Sequence, residues 1–214
     1  MLFDTHAHYD DSAFDGDRDA LLASLPERGV CGVVNPGCTV DSSRAALALA
    51  ERYPYVWAAV GIHPEDCAGA SEEDFAALRA LADHPRAVAV GEIGLDYFWE
   101  QNPPREVQRA VFRRQLELAR ELGLPVIVHD RDAHADCLAI VKEYPEVRGV
   151  FHCYSGSPET AEELLKRGWY LGFDGPVTYK NARRAPEVAA ITPPDRILVE
   201  TDSPYLPPVP NRGR

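Results

Sequence analysis

The apolar residues of this chain fall into short runs that alternate with longer amphipathic stretches. Runs that predict strands begin near Leu2, Gly29, Val56, Ala87, Pro125, Gly149, Trp169 and Arg196. Most of these runs are separated by segments long enough to hold a helix, and no Gly/Ser-rich or Pro-rich linker divides the chain. The pattern therefore predicts eight strands within a single domain, residues 1–214.

Helices are predicted where apolar residues recur at helical spacing. They cover Asp15–Glu27, Ser42–Arg52, Glu72–Ala82, Arg105–Leu122, Ala133–Glu143 and Pro158–Lys166. In the longest of them, Val111, Phe112 and Leu116 fall on one face, while Arg113 and Glu117 fall on the other. Such a helix is expected to pack on a sheet.

Strands that alternate with helices are parallel, and eight such units predict a (β/α)₈ TIM barrel of the α/β class. Active sites of these barrels lie at the carboxyl ends of the strands. Polar residues are found at or just after the predicted strand ends: His8, His63, Glu92, His129, His152, Asp174 and Asp202. We expect these side chains to line one site.

The chain continues only to Arg214 after the eighth predicted strand. Barrels of this type typically have about 250 residues. The C-terminal closing helix is therefore predicted to be missing, either by truncation or disorder or because this barrel closes differently.

The first predicted strand contains the sequence F-D-T-H-A-H, with imidazoles at His6 and His8. Side chains alternate between the two faces of a strand, so both imidazoles point to the same side and form a chelating pair. Glu92 lies in the apolar strand V-G-E-I-G-L-D-Y. A buried carboxylate there requires a cation or hydrogen bonds.

Three further polar residues follow apolar strands. His129 and His152 each end one run, and Asp202 follows the last in V-E-T-D-S-P-Y. Asp202 is suited to bind a metal ion and to accept a proton from metal-bound water. Glu200 is expected not to contact the metal itself but to orient a metal ligand or a water by a hydrogen bond.

The net charge of −12 repels polyanions, so any contact with nucleic acid must be local. Bound divalent cations would reverse the sign of the charge within the site. The N-terminal sequence lacks a secretory leader, and five cysteines without a CxxC pair suit reduced thiols. The protein is therefore expected to be cytoplasmic.

Six ordered motifs resemble those of the TatD family of metal-dependent deoxyribonucleases, which belong to the amidohydrolase-like barrels. They are F-D-T-H-A-H, G-I-H-P, G-E-I-G-L-D-Y, P-V-I-V-H-D-R, F-H-C-Y-S-G and E-T-D-S-P-Y-L. The resemblance implies two divalent metal ions, Mg²⁺, Mn²⁺ or Zn²⁺. One would be held by His6, His8, Glu92 and Asp202, and the other by Glu92, His129 and His152.

Glu92 would bridge the two ions, which makes Glu92 and Asp202 the candidate catalytic residues. His63 would line the pocket beside the metals. The implied activity is hydrolysis of phosphodiester bonds in DNA, from single-stranded ends, by metal-activated water. The alternatives are hydrolysis of an ester, amide or aminoacyl link on the same barrel, and a non-catalytic metal-binding or nucleotide-binding protein.

Several residues near the predicted site are candidates for substrate contacts. Arg131 suits a phosphate, or else forms a salt bridge with Asp130 or Asp132. Tyr97, Phe98 and Trp99 follow the fourth strand and either stack on an unpaired base or pack within the protein. The backbone of Ser155 and Gly156 either binds an anion or caps the next helix.

Overall fold

The strands of the computed structural model form one parallel sheet, ordered as they occur along the chain. The structure describes residues 1–212. The strands are β1 Leu2–Asp4, β2 Val30–Pro36, β3 Val56–Val60, β4 Ala87–Asp96, β5 Val126–Arg131, β6 Gly149–Phe151, β7 Tyr170–Phe173 and β8 Ile197–Val199. Each begins within one residue of its predicted start, which confirms the predicted TIM barrel.

The helices lie between consecutive strands on the outside of the sheet. They are α1 Arg18–Ser24, α2 Val40–Arg52, α3 Glu72–Ala82, α4 Arg105–Leu122, α5 His134–Lys142, α6 Pro158–Lys166 and α7 Arg184–Ile191. The first is shorter than predicted, since Gly16 and Pro26 flank it and both disfavour helix. The last was not predicted, because only Val188 of its residues is fully buried.

Small and branched residues fill the inside of the barrel. The layer beneath the strand ends contains Ala59, Ala89, Ile127 and Val150, with Val34, Tyr170 and Leu198 packed against them. Alternation along a strand then places His129 above Ile127 and His152 above Val150, on the same inner face. This apolar layer, called the floor below, lies directly beneath the polar residues at the mouth of the barrel.

The barrel closes where the segment after β1 meets the segment after β8. The amide of Thr5 donates to the carbonyl of Val199, and that of Asp202 donates to the carbonyl of His6. The Asp4 carboxylate accepts from both the hydroxyl and the amide of Thr201, at 2.7 and 3.0 Å. These contacts bring the first and last strands together.

Within residues 1–212 no helix follows β8. Leu2 and Phe3 of β1 and Val199 of β8 are exposed by 62%, 42% and 56%. Among the residues that the structure describes, no helix has the length and apolar character needed to cross a membrane.

We expect Gly149→Ala to destabilise the protein by about 1–3 kcal/mol, because the new Cβ would overlap the backbone of Val126, to which Gly149 is paired across β5 and β6. Chemical denaturation measures this change in the free energy of unfolding. Gly16→Ala is the matched control, since nothing lies within 4 Å of its added Cβ. Equal stability of the two variants would contradict the close strand packing described above.

Candidate metal centre

The imidazoles of His6 and His8 meet the carboxylate of Glu92 at the mouth of the barrel. The Nε2 atoms of His6 and His8 are 3.1 Å apart. Each also lies near Oε2 of Glu92, at 3.3 Å for His6 and 3.5 Å for His8. These two histidines, which the sequence placed within the first strand, follow β1, which ends at Asp4, and form one pair facing a single carboxylate oxygen.

The other oxygen of Glu92 faces a different set of histidines. Oε1 lies 2.9 Å from Nδ1 of His129 and 3.8 Å from Nε2 of both His63 and His152. Because its two oxygens face separate imidazole groups, Glu92 occupies the centre of the cluster.

Asp202 approaches from the side of β8. Its Oδ1 lies 3.5 Å from Nε2 of His8, 3.7 Å from that of His6 and 3.8 Å from that of His152. Its backbone is left-handed, with φ of 56°, a conformation that aspartate tolerates better than most residues. All six residues predicted as ligands thus converge.

The donor atoms fall into groups that differ in part from the predicted division. Groups close enough to share an ion are His6, His8 and Glu92; His6, His152 and Asp202; and His63, Glu92 and His129. His152 therefore lies with His6 and Asp202 as well as beside Glu92. His63, expected only to line the pocket, also presents Nε2 to the cluster.

Carboxylates behind the histidines fix which ring nitrogen faces the centre. Oε1 of Glu200 lies 2.9 Å from Nδ1 of His152, and Oδ2 of Asp96 lies 3.1 Å from Nε2 of His129. The sequence interpretation gave Glu200 this role but missed Asp96, although G-E-I-G-L-D-Y contains a second carboxylate after Glu92. Such partners leave the opposite nitrogen free as a lone-pair donor.

In the described part of the chain, the negative charges of Glu92 and Asp202 are compensated by imidazoles. Among residues 1–212, neither Glu92 nor Asp202 forms an ion pair with a lysine or arginine. Burial alone would raise the pKa of Glu92, but His6 and His129 hold it well below its ordinary value. Burial would lower the pKa of His152, but Glu200 and Asp202 raise it to about 10.

Buried carboxylates and imidazoles that share protons in this way suit divalent cations, because a cation replaces those protons when it binds. The donors are nitrogen and carboxylate oxygen, which are the ligands of Zn²⁺ and Mn²⁺ sites and, for the oxygens, of Mg²⁺ sites. Nδ1 of His6 is also buried without a hydrogen-bond partner among residues 1–212. The residues present therefore fit a metal centre.

The cluster forms the base of an open cavity of about 550 Å³. Asp10, Asp11, Glu65 and Asp66 line this cavity from the segments after β1 and β3, and Arg131 lines it from the end of β5. The guanidinium carbon of Arg131 lies 4.1 Å from the ring centroid of Phe98 and 5.3 Å from that of Trp99. The predicted alternative, a salt bridge of Arg131 to Asp130 or Asp132, does not occur in residues 1–212.

Tyr97, Phe98 and Trp99 do not themselves line this cavity, although the rings of Phe98 and Trp99 contact Arg131, which does. The hydroxyl of Tyr97 donates to Asp136 at 2.7 Å, and the guanidinium of Arg105 covers its ring at 4.2 Å. Its position does not support the predicted substrate contact. Phe98 and Trp99 remain 47% and 43% exposed beside Arg131.

Ser155 and Gly156 do not cap the following helix, because Ser157 is the residue whose side chain accepts from the amide of Thr160. Ser155 lines a neighbouring cavity instead. His84 and His134 pair with Glu51 and Asp130, away from the cluster, as expected from the sequence.

The chain is similar to known proteins over its whole length. Residues 3–214 match the model of the family described as TatD related DNase. The chain is 43% identical over 216 residues to the uncharacterized metal-dependent hydrolase YabD of Bacillus subtilis. That alignment covers 100% of this chain and 84% of YabD. It is 42% identical over 212 residues to the 3'-5' ssDNA/RNA exonuclease TatD of Cronobacter turicensis. That alignment covers 97% of this chain and 80% of the exonuclease.

A solved structure gives the same fold. The crystal structure of YJJV, a TatD homologue from Escherichia coli K12, superposes with a TM-score of 0.93 at 34% identity. The superposition covers 100% of this chain and 83% of that chain.

We expect Glu200→Ala to weaken metal binding by about 10- to 100-fold, because it removes the acceptor that orients His152. Titration calorimetry of the metal-stripped protein with Mn²⁺ measures the affinity. Glu200→Gln keeps an acceptor oxygen and is expected to restore part of it. Glu162→Ala, an exposed glutamate of α6, is the control. Unchanged affinity in Glu200→Ala would argue against this orienting contact.

The buried carboxyl group of Asp174 is expected to make the free energy of unfolding depend on pH. Burial raises the pKa of this carboxyl from 3.8 to about 7. A raised pKa means that its contribution to stability is fully present below pH 3.8 and is lost as the pH rises through about 7. Asparagine does not ionise, so Asp174→Asn should gain stability relative to the wild type over this window, by roughly 2 to 4 kcal/mol.

Denaturation of the metal-stripped proteins at about pH 4 and about pH 8 measures this difference. Asp83→Asn, which removes a carboxyl group at an exposed position, is the matched control. A stability difference for Asp174→Asn that is the same at both pH values would contradict the raised pKa.

Proposed function

This chain belongs to the TatD family of metal-dependent hydrolases, and we propose that it is a nuclease that hydrolyses phosphodiester bonds at the ends of single-stranded DNA or RNA. The observation that carries the proposal is the position of Glu92, whose two oxygens face different histidine groups at the base of an open cavity. A relative at 42% identity is named a 3'-5' ssDNA/RNA exonuclease, which supports this choice of substrate.

The proposed cofactor is a pair of divalent cations. His6, His8, Glu92 and Asp202 would hold one, and Glu92, His129 and His152 would hold the other, with His63 beside the second. Mg²⁺, Mn²⁺ and Zn²⁺ are the candidates, and the many imidazoles favour the transition metals. Such ions make hydroxide available near neutral pH and neutralise charge that develops on the phosphate.

Asp202 is the proposed acceptor of the proton from the attacking water. Burial would raise its pKa, but the hydrogen bond from His8 and the charge of His152 hold it below its ordinary value. Asp202 is therefore ionised at neutral pH and able to accept a proton. Its left-handed backbone and the hydrogen bond from its amide to His6 keep the carboxylate directed at the cluster.

Arg131, Phe98 and Trp99 are the proposed contacts to the strand at one side of the cavity. Arg131 is exposed, stacks on both rings and has no carboxylate partner among residues 1–212. A planar guanidinium suits a phosphate, and exposed aromatic rings suit unpaired bases. A duplex hides its bases, so these groups favour a single strand.

We expect the purified protein to release nucleotides from a single-stranded oligonucleotide only when a divalent metal is present, and a chelator to abolish the reaction. Asp202→Asn should lower kcat by about 10²- to 10⁴-fold, because it removes the proton acceptor. Electrophoresis of an end-labelled oligonucleotide measures the products.

Glu162→Gln is the matched control for loss of one carboxylate and should retain activity, since its side chain lies exposed on α6. Ester and amide substrates are tested in parallel. Metal-dependent cleavage of these substrates without cleavage of the oligonucleotide would overturn the nuclease proposal in favour of a hydrolase of another bond.

A further inference from the structure

A second cavity, of about 400 Å³, lies next to the metal centre. The chain that brings His152 to the metal centre continues as Cys153, Tyr154 and Ser155, which form one wall of this cavity. The other walls come from β7 and from the loop and helix that follow it. The two cavities therefore share the segment after β6.

The walls of the second cavity are largely apolar. Phe173, Val177 and Ala185 contribute to them, and the ring of Tyr179 lies at the edge. Among these groups is Asp174, which is only 6% exposed and whose Oδ2 has no hydrogen-bond partner in residues 1–212. A flat apolar ring with N–H donors on its edge fits such a space, and nucleobases have this character.

Two cations stand at the rim of this cavity. Arg183 and Arg184 both line it, both are exposed, and neither lies within 4.0 Å of a carboxylate in residues 1–212. Arginines elsewhere are mostly paired: on α4, Arg109, Arg113, Arg114 and Arg120 each contact an acidic side chain. In a chain of net charge −12, unpaired guanidinium groups mark a local site for an anion.

The opposite side of the metal centre repels anions. Asp10, Asp11, Glu65 and Asp66 line the metal cavity on the side of β1 and β3. A polyanion that reaches the metals is therefore directed away from that side, toward Arg131 and toward Arg183 and Arg184.

We propose that the cavity beside β7 receives a base of the bound strand, next to the bond that is cleaved, while Arg183 and Arg184 bind the adjoining phosphates. This inference rests on the proposed nuclease function. It assigns the strand a path across the metal centre, from the Arg131 side to the loop after β7. Ser155, exposed on the same cavity, lies along this path.

The test compares Arg183→Gln/Arg184→Gln with a control that removes the same charge from a distant surface. Arg28→Gln/Lys166→Gln serves as the control, because both side chains are exposed and lie before β2 and β7, at the end of the barrel away from the metal centre. The substrates of the metal-loaded enzymes are a single-stranded oligonucleotide of about 12 nucleotides and bis(p-nitrophenyl) phosphate, a small diester that has no adjoining phosphates for Arg183 and Arg184 to bind.

For Arg183→Gln/Arg184→Gln, kcat/KM on the oligonucleotide should fall about tenfold more than kcat/KM on the small diester, since two charged hydrogen bonds are lost. The slope of log kcat/KM against log salt concentration should become shallower by about 1 to 1.5 for the oligonucleotide. The control should keep the wild-type ratio and slope.

If both double variants show the same ratio and the same slope while the wild type cleaves the oligonucleotide, the proposed path is wrong and the nuclease function stands. If the wild type cleaves only the small diester, the nuclease function and the path both fail. Thermal melting of each variant establishes that it is folded.

Discussion

A carboxylate buried among imidazoles is the interaction on which the site depends. Glu92 is 3% exposed, yet in residues 1–212 no lysine or arginine neutralises it. Placing an ionised group in such a position costs several kcal/mol unless positive charge compensates it. Protonated imidazoles provide this charge in the metal-free protein, and the proposed cations would provide it in the active enzyme. The surrounding carboxylates, Asp96 and Glu200, then hold the imidazoles in the orientation that either arrangement needs.

The barrel makes this concentration of polar groups possible. On β5 and after β6, an apolar residue of the floor is followed two residues later, on the same face, by a polar residue at the mouth: Ile127 by His129, and Val150 by His152. The outer faces of the strands pack against helices through apolar side chains. Each strand therefore buries only a few polar groups. The contacts of Asp4 with Thr201 matter for the same reason: they bring His6 and His8, which follow the first strand, to Asp202 after the last.

Much of the fold and of the site could be predicted from the sequence, because both depend on short periodic patterns. Strand alternation indicated that His6 and His8 point to the same side, which they do although β1 ends at Asp4, and the apolar runs predicted the starts of all eight strands to within one residue. The part that could not be predicted depends on side-chain directions in loops. Three features arise from packing between segments that are distant in sequence or only weakly patterned. They are the hydrogen bond from Tyr97 to Asp136, the stacking of Arg131 on Phe98, and the helix α7. Asp96, whose partner His129 lies 33 residues further along the chain, was also missed.

The strongly negative chain and a polyanionic substrate are compatible because the charge is unevenly distributed. Acidic side chains after β1 and β3 line the metal cavity, and the unpaired guanidinium groups lie at the end of β5 and in the neighbouring cavity after β7. The arrangement around Glu92 is tested most directly by anomalous X-ray diffraction from crystals grown with Mn²⁺. Two anomalous peaks about 3.5–4 Å apart, one beside each oxygen of Glu92, are the predicted result. A single peak, or peaks found only at exposed carboxylates, would contradict a shared site with Glu92 at its centre.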